Sequence, residues 1–157
     1  MATGIRILDI SKTYNFQPRT IKECEPHLKE IGHPYKICVL SNEEGKTVDF
    51  YKTTSADTNT GNSLYKENTI HYEGEKLIVE QRRTESLNNL FESDAQFDLI
   101  KLDTQGSELD IMSGGLNIIK RAVMIIMEMS HIEYNQGAPS FSESDEFMEK
   151  IGFERGI

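Results

Sequence analysis

Short apolar runs alternate with amphipathic segments along most of this chain, and that alternation restricts its fold more than any other feature. IRILDI (5–10), YKICVL (35–40), TVDFY (47–51), KLIVEQ (76–81), FDLIKL (97–102) and AVMIIMEM (122–129) read as strands, each rich in β-branched or other apolar residues. AVMIIM lacks the polar alternation of a half-wet strand, as expected of a strand covered on both faces in a parallel sheet. Between the strands lie helical patterns. Ile21, Cys24, Leu28 and Ile31 follow one another at spacings of three, four and three before Gly32, and Pro26 either kinks this helix or starts its regular part. Thr84 stands as a cap before ESLNNLF; Ser107 opens a segment carrying Leu109, Ile111 and Met112 that breaks at Gly114-Gly115; LNIIK adds one more turn; and SESDEFMEKI (142–151) is a capped helix with acids in its first turn.

Strands alternating with helices predict an α/β architecture, a mainly parallel sheet with helices on both faces, in one domain over residues 1–157. The Glu-Gly turn in SNEEGK suggests that the 35–40 and 47–51 strands form a hairpin. TTSADTNTGNSLYKENT (53–69) reads as a long polar surface loop, of the kind that is more often functional or mobile than idle.

Charge and composition narrow the function. The formal net charge is -9 and Lys and Arg nowhere cluster in fives or sixes, which argues against nucleic acid as the main partner. The longest apolar run, Ala122 to Met127, falls far short of the roughly 20 residues of a membrane span, and the N-terminus shows no signal pattern. The expectation is a soluble, cytoplasmic protein. Cys24 and Cys38 match no redox or metal spacing and read as reduced, buried thiols; the four histidines are dispersed, so no metal site is expected.

The richest stretch is FDLIKLDTQGSELDIMSGG (97–115). In an open α/β sheet, ligands gather beyond the carboxyl ends of the strands, where helix N-termini also point. Asp103 falls at such an end, with Gln105, Gly106 and Glu108 in the strand-to-helix turn. Two readings stand: Asp103 caps the next helix and Glu108 favours its first turn, or an acid and an amide orient a ligand. Glu128 bears on the choice. An unpaired carboxylate inside an apolar strand is costly to bury, so Glu128 belongs at the strand's exit facing the same crevice, or else pairs with a cation at the sheet edge. Lys101, a cation between Ile100 and Leu102, is a candidate partner for one of these acids. His131, three residues beyond Glu128, is a site residue or a solvated loop histidine.

The run LNNLFESDAQFDLIKLDTQGSELDIMSGG resembles the signature of FkbM-type methyltransferases, with KLDTQGSEL its most specific part. FQPRTIKECEPHLKEIGHPYKICVLSNEEGKTVDFY and NSLY upstream, and MIIMEMS and FMEKIGF downstream, extend the likeness from about Phe16 to Phe153. It implies a Rossmann-like class I methyltransferase fold, reduced at both termini, that binds S-adenosylmethionine and methylates a hydroxyl of a sugar or small natural product. On this resemblance Asp103 and Glu128 are the catalytic candidates. Asp9, Gln17, Ser41, Asp103, Gln105 and Gly106 are the cofactor-binding candidates, with Glu108 and His131 on the acceptor side. The sequence departs from the family pattern where Lys12, Thr13 and Tyr14 stand in place of a glycine-rich turn, and where Gln17 replaces the glutamate that pairs with the ribose. The alternatives are a ligand-binding or structural module that keeps the fold without the reaction, with a homodimer through exposed sheet edges as an expected partner arrangement.

Overall fold

The computed structural model describes residues 7–9, 29–30, 36–54 and 61–156. Most of the helix expected between Thr20 and Gly32, together with Gln17 and Cys24, lies outside the described residues; Lys29 and Glu30 are helical. Six strands and four α-helices are described: β1 (Ile7–Asp9), β2 (Val39–Leu40), β3 (Thr47–Thr53), β4 (Leu77–Glu85), α1 (Leu87–Leu90), β5 (Leu99–Leu102), α2 (Glu108–Ser113), α3 (Leu116–Ile119), β6 (Met124–Met127) and α4 (Phe141–Ile151). The molecule is α/β, but its described strands divide into two three-stranded sheets rather than one.

In the first sheet β5 is the middle strand, parallel to β1 on one side and to β6 on the other. Its register places Leu99 opposite Met124 and Leu102 opposite Met127, so the two strands end in step. Asp103 and Glu128, each the residue after its strand, therefore leave the sheet side by side. The second sheet has the order β2-β4-β3, with β2 parallel and β3 antiparallel to β4. This replaces the expected hairpin: β3 pairs over seven residues with β4, from Thr47 opposite Arg83 to Thr53 opposite Leu77, and β4 stands between β3 and β2. Long antiparallel pairing outcompetes the local turn, and Thr84 follows it. Instead of capping α1, Thr84 is buried at the end of β4, where its hydroxyl donates to the Glu43 carbonyl at 2.5 Å.

The core lies between the first sheet and its helices. Leu87, Ile100, Leu102, Ile111, Met112, Ile118, Ile119 and Ala122 form one buried cluster, with Phe147, Met148 and Ile151 of α4 packed against it. Burying each large side chain of this kind contributes about 1.5–3 kcal/mol. The Gly114-Gly115 break between α2 and α3 is a packing requirement: a Cβ on Gly114 would stand 2.3 Å from the Ser41 carbonyl oxygen, and one on Gly115 2.4 Å from Leu87 Cβ. The cap of α4 is Ser140, two residues before the expected start, in a reciprocal capping box with Glu143. Those hydrogen bonds from Ser140 hold the Glu143 carboxyl below its ordinary value.

Two expectations change character. Cys38 is a half-buried free thiol whose burial pushes its pKa up to about 11, which keeps it in the unreactive protonated form. The 53–69 stretch is no plain surface loop. Residues 55–60 lie outside the described ones, but Gly61, Asn62, Ser63 and Glu67 are buried, and Ser63 pairs with Tyr51 of β3 through backbone bonds in both directions, at 2.8 and 3.1 Å. Among the described residues no helix is long and apolar enough to cross a membrane.

Candidate active site

The loop Asp103–Ser107 joins β5 to α2, and its shape is set by groups that the sequence places one step away. Gln105 takes the left-handed conformation at φ 57°, unusual for a residue with a side chain, and Gly106 follows at φ 100°. Glu108, only 6% exposed, holds this bend from inside. Its Oε1 accepts from the Thr104 amide at 2.7 Å and the Thr104 hydroxyl at 3.0 Å, while Oε2 accepts from the Gly106 amide at 2.9 Å. Ser107 adds a hydroxyl bond to the Thr104 carbonyl at 3.2 Å.

A second layer braces the loop from outside. Ser63 donates to the Thr104 and Gln105 carbonyls at 3.0 and 2.9 Å. The segment after β6 is tied to the same wall: the Gln136 amide donates to the Lys66 carbonyl at 2.7 Å, and Asn135 Nδ2 to the Tyr65 carbonyl at 3.1 Å. Burial and the neighbouring Glu67 carboxylate, which accepts a hydrogen bond from Tyr134, push the Tyr134 phenol up to about 12. Tyr65 in turn donates to Asp110 Oδ2 of α2 at 2.7 Å.

What this scaffold presents is a pair of acids with an amide between them. Gln105 Nε2 donates to Glu128 Oε2 at 2.8 Å and makes a longer contact of 3.4 Å with Asp103 Oδ1, while Lys101 Nζ donates to Asp103 Oδ2 at 3.2 Å. Burial alone would raise the Asp103 pKa. That effect is outweighed by hydrogen bonding with the Glu128, Lys101 and Gln105 side chains and by the Lys101 charge, and the group is held below its ordinary value. Of the two carboxyls, Asp103 is thus the one whose charged form its neighbours favour. Such an arrangement offers an anionic oxygen to a hydroxyl donor, with a carboxyl and an amide fixing its direction.

Asp103, Gln105, Gly106 and Glu128 are brought together, and Lys101 pairs with Asp103. Glu128 is exposed at the strand's exit rather than buried within β6. Asp9 ends β1 with its backbone opposite Lys101. Three other candidates sit apart from the acid pair or have both oxygens or the ring engaged within the fold. Ser41 is buried against Gly114 at the far end of α2 from the loop, away from Asp103, because the 41–46 turn is drawn onto β4. Glu108 spends both oxygens on the loop, so its part is to hold the turn rather than an acceptor. His131 stacks its ring on Phe141 at the start of α4, with centroids 4.3 Å apart, which accounts for its side chain without a ligand. Ser63 is the residue that sequence reading missed, although NSLY stood among the segments that carry the resemblance. Among the described residues no group of three or more His, Cys, Asp or Glu side chains is placed to hold a metal ion.

The profile of the methyltransferase FkbM domain matches residues 8–155. The chain belongs to the FkbM methyltransferase family. No curated protein and no solved structure matches it. The FkbM domain match takes in Leu8 and Asp9 of β1, the whole Asp103–Ser107 loop and Glu128, so every group of the crevice falls inside the matched region.

The Glu108 clamp gives a direct test of how this FkbM domain holds its loop. Glu108→Ala leaves two backbone amides without an acceptor in a buried turn and is expected to lower the unfolding free energy by about 2–4 kcal/mol. Urea unfolding of the two proteins measures the difference; a change below about 0.5 kcal/mol, the range of ordinary surface substitutions, would show the clamp to be dispensable.

Proposed function

We propose that this protein is an S-adenosylmethionine-dependent O-methyltransferase of Rossmann-like class I architecture, acting on a hydroxyl of a sugar or small natural product. The observation that carries the reading is the pair Asp103 and Glu128, bridged by the Gln105 side-chain amide at the carboxyl ends of two neighbouring parallel strands. The residues fit the reacting end of such a cofactor, because the crevice holds two acids, Asp103 and Glu128, against the single Lys101 ammonium on Asp103, and an excess of acids complements a sulfonium. Asp103, Gln105 and Gly106 would hold it, with Asp9 at the end of the adjacent strand and Gln17 completing the set that the family resemblance assigns. When bound, the cofactor supplies an electrophilic methyl group.

The chain's own residues then have two tasks. One is to fix the acceptor oxygen: Asp103 accepts its hydrogen bond, and Glu128 and Gln105 limit the directions open to it, which matters because most of the rate of a displacement comes from alignment. The other is to take the proton. A carboxyl held below its ordinary pKa is a weak base for a free alcohol, but the hydroxyl becomes strongly acidic once its oxygen has begun to bond to carbon, and a weak base then suffices.

Calorimetric titration with S-adenosylmethionine and S-adenosylhomocysteine tests the reading. Binding in the micromolar range is the expected result. No heat at millimolar ligand would leave a module that keeps the fold without the reaction, a second reading favoured by Lys12, Thr13 and Tyr14 standing where the family has glycines.

A further inference from the structure

Ser63 faces none of the groups in the crevice, yet its hydroxyl reaches the peptide on which they depend. It is 1% exposed, and its backbone is fixed to Tyr51 of β3 through both its N–H and its carbonyl. The hydroxyl is left to make the three-centre contact with the Thr104 and Gln105 carbonyls at 3.0 and 2.9 Å.

From this geometry we infer that Ser63 is a positioning residue for the acid pair: its hydroxyl holds Gln105 in the left-handed conformation that keeps the Gln105 amide on Glu128 and beside Asp103. A side-chain-bearing residue persists at φ 57° only where its surroundings over-determine it. Glu108 grips the amides on either side, of Thr104 and Gly106, whereas Ser63 grips the carbonyl of Gln105 itself. Removing the hydroxyl leaves the Gln105–Gly106 peptide held at its N–H end alone, by Glu108, so its carbonyl can tilt and Gln105 relaxes from φ 57° toward the right-handed region. The Gln105 side chain leaves from the same Cα and swings with it, so the 2.8 Å bond to Glu128 is lost and the two carboxyls face each other without their neutral donor. The hydroxyl therefore passes the position of the β2-β4-β3 sheet to a crevice built on the other sheet. Its consequence for turnover rests on the methyl-transfer reading; its consequence for Gln105 does not.

The experiment is a proton–nitrogen spectrum of the labelled protein, in which the side-chain amide pair of Gln105 is identified by its disappearance in Gln105→Glu. In the unaltered protein that pair is expected to be displaced from the free-glutamine position and slow to exchange. In Ser63→Ala, and in Ser63→Cys, which keeps the volume but offers only a weak donor, it returns to the free position. Tyr72→Phe removes a buried hydroxyl bond to Asn62 from the same segment and leaves the Gln105 signals in place. A free-glutamine position in the unaltered protein, or unmoved signals in either Ser63 variant, overturns the inference. Where methyl transfer is measurable, both variants lose about tenfold or more in turnover. Absence of cofactor binding in the titration above would remove that last statement and leave the spectroscopic one standing.

Discussion

Asp103→Asn is expected to abolish most methyl transfer while leaving the fold intact. The amide is the same size as the carboxylate and its oxygen still accepts from Lys101 or from Gln105, so the fold is kept although one of those two contacts is lost. It cannot accept a proton, and loss of a general base of this kind lowers turnover by about 10²–10⁴-fold. The measurement is transfer of a labelled methyl group to a hydroxylated acceptor, with an unfolding curve on the same preparation; a variant that retains full turnover removes Asp103 from the mechanism. The acid side of the rate profile carries an independent signature. Because the Asp103 carboxyl is held down, it stays ionised as the pH falls through the ordinary aspartate value of about 3.9, and its contribution disappears only below that. The sign is the same for its contribution to stability, which is present above the unfolded value and lost as the pH falls through the folded one. Lys101→Met removes one of the groups that lower the pKa, so the acid limb moves to higher pH.

Gly106→Ala is expected to lower stability as strongly as loss of the Glu108 clamp. At φ 100° an added Cβ is strained by the backbone alone, and here it would also lie 2.6 Å from Ala138 Cβ, 3.4 Å from Asn135 Cβ and 3.5 Å from Tyr65 Cβ. Strain and overpacking together cost about 3 kcal/mol, or about 6–12 °C in Tm for a chain of this size. Gly137→Ala separates the two causes. Gly137 also has positive φ, 75°, but nothing lies within 4 Å of its would-be Cβ, so it loses only the backbone share, about 1 kcal/mol. Equal losses at both positions would mean that the contact with Ala138 relaxes freely.

The parts of the molecule that could be read from sequence are those governed by neighbours along the chain. β5, its exit at Asp103, the Gly106 turn and the helix after Ser107 follow from an apolar run, a glycine and a helical spacing within twenty residues. The pairing of Asp103 with Glu128 was also readable, because both acids end apolar strands and parallel strands share one carboxyl end. What escaped depends on distant partners. A Glu-Gly turn between two strand-like runs looks the same whether the second run folds back on the first or pairs with β4, thirty residues on, and the choice drew Ser41 and Thr84 out of their expected places. Ser63 escaped for the opposite reason. It sits in a polar, turn-rich stretch, and polarity announces exposure unless a buried acceptor, here two carbonyls, is waiting for the hydroxyl. Glu108 could be read either as a helix-favouring acid or as a ligand contact, and only the positions of the Thr104 and Gly106 amides decide that it faces inward.

The inward turn of Glu108 has a selective consequence. A bend from a strand into a helix ordinarily offers free amides to a phosphate or sulfate. Here the helix brings its own anion, and two of those amides, with the Thr104 hydroxyl, are already engaged by it. With Asp103 and Glu128 adding negative charge nearby, the bend is a poor receptor for phosphorylated compounds, and neutral polyols and cations are the ligands to which it offers least resistance.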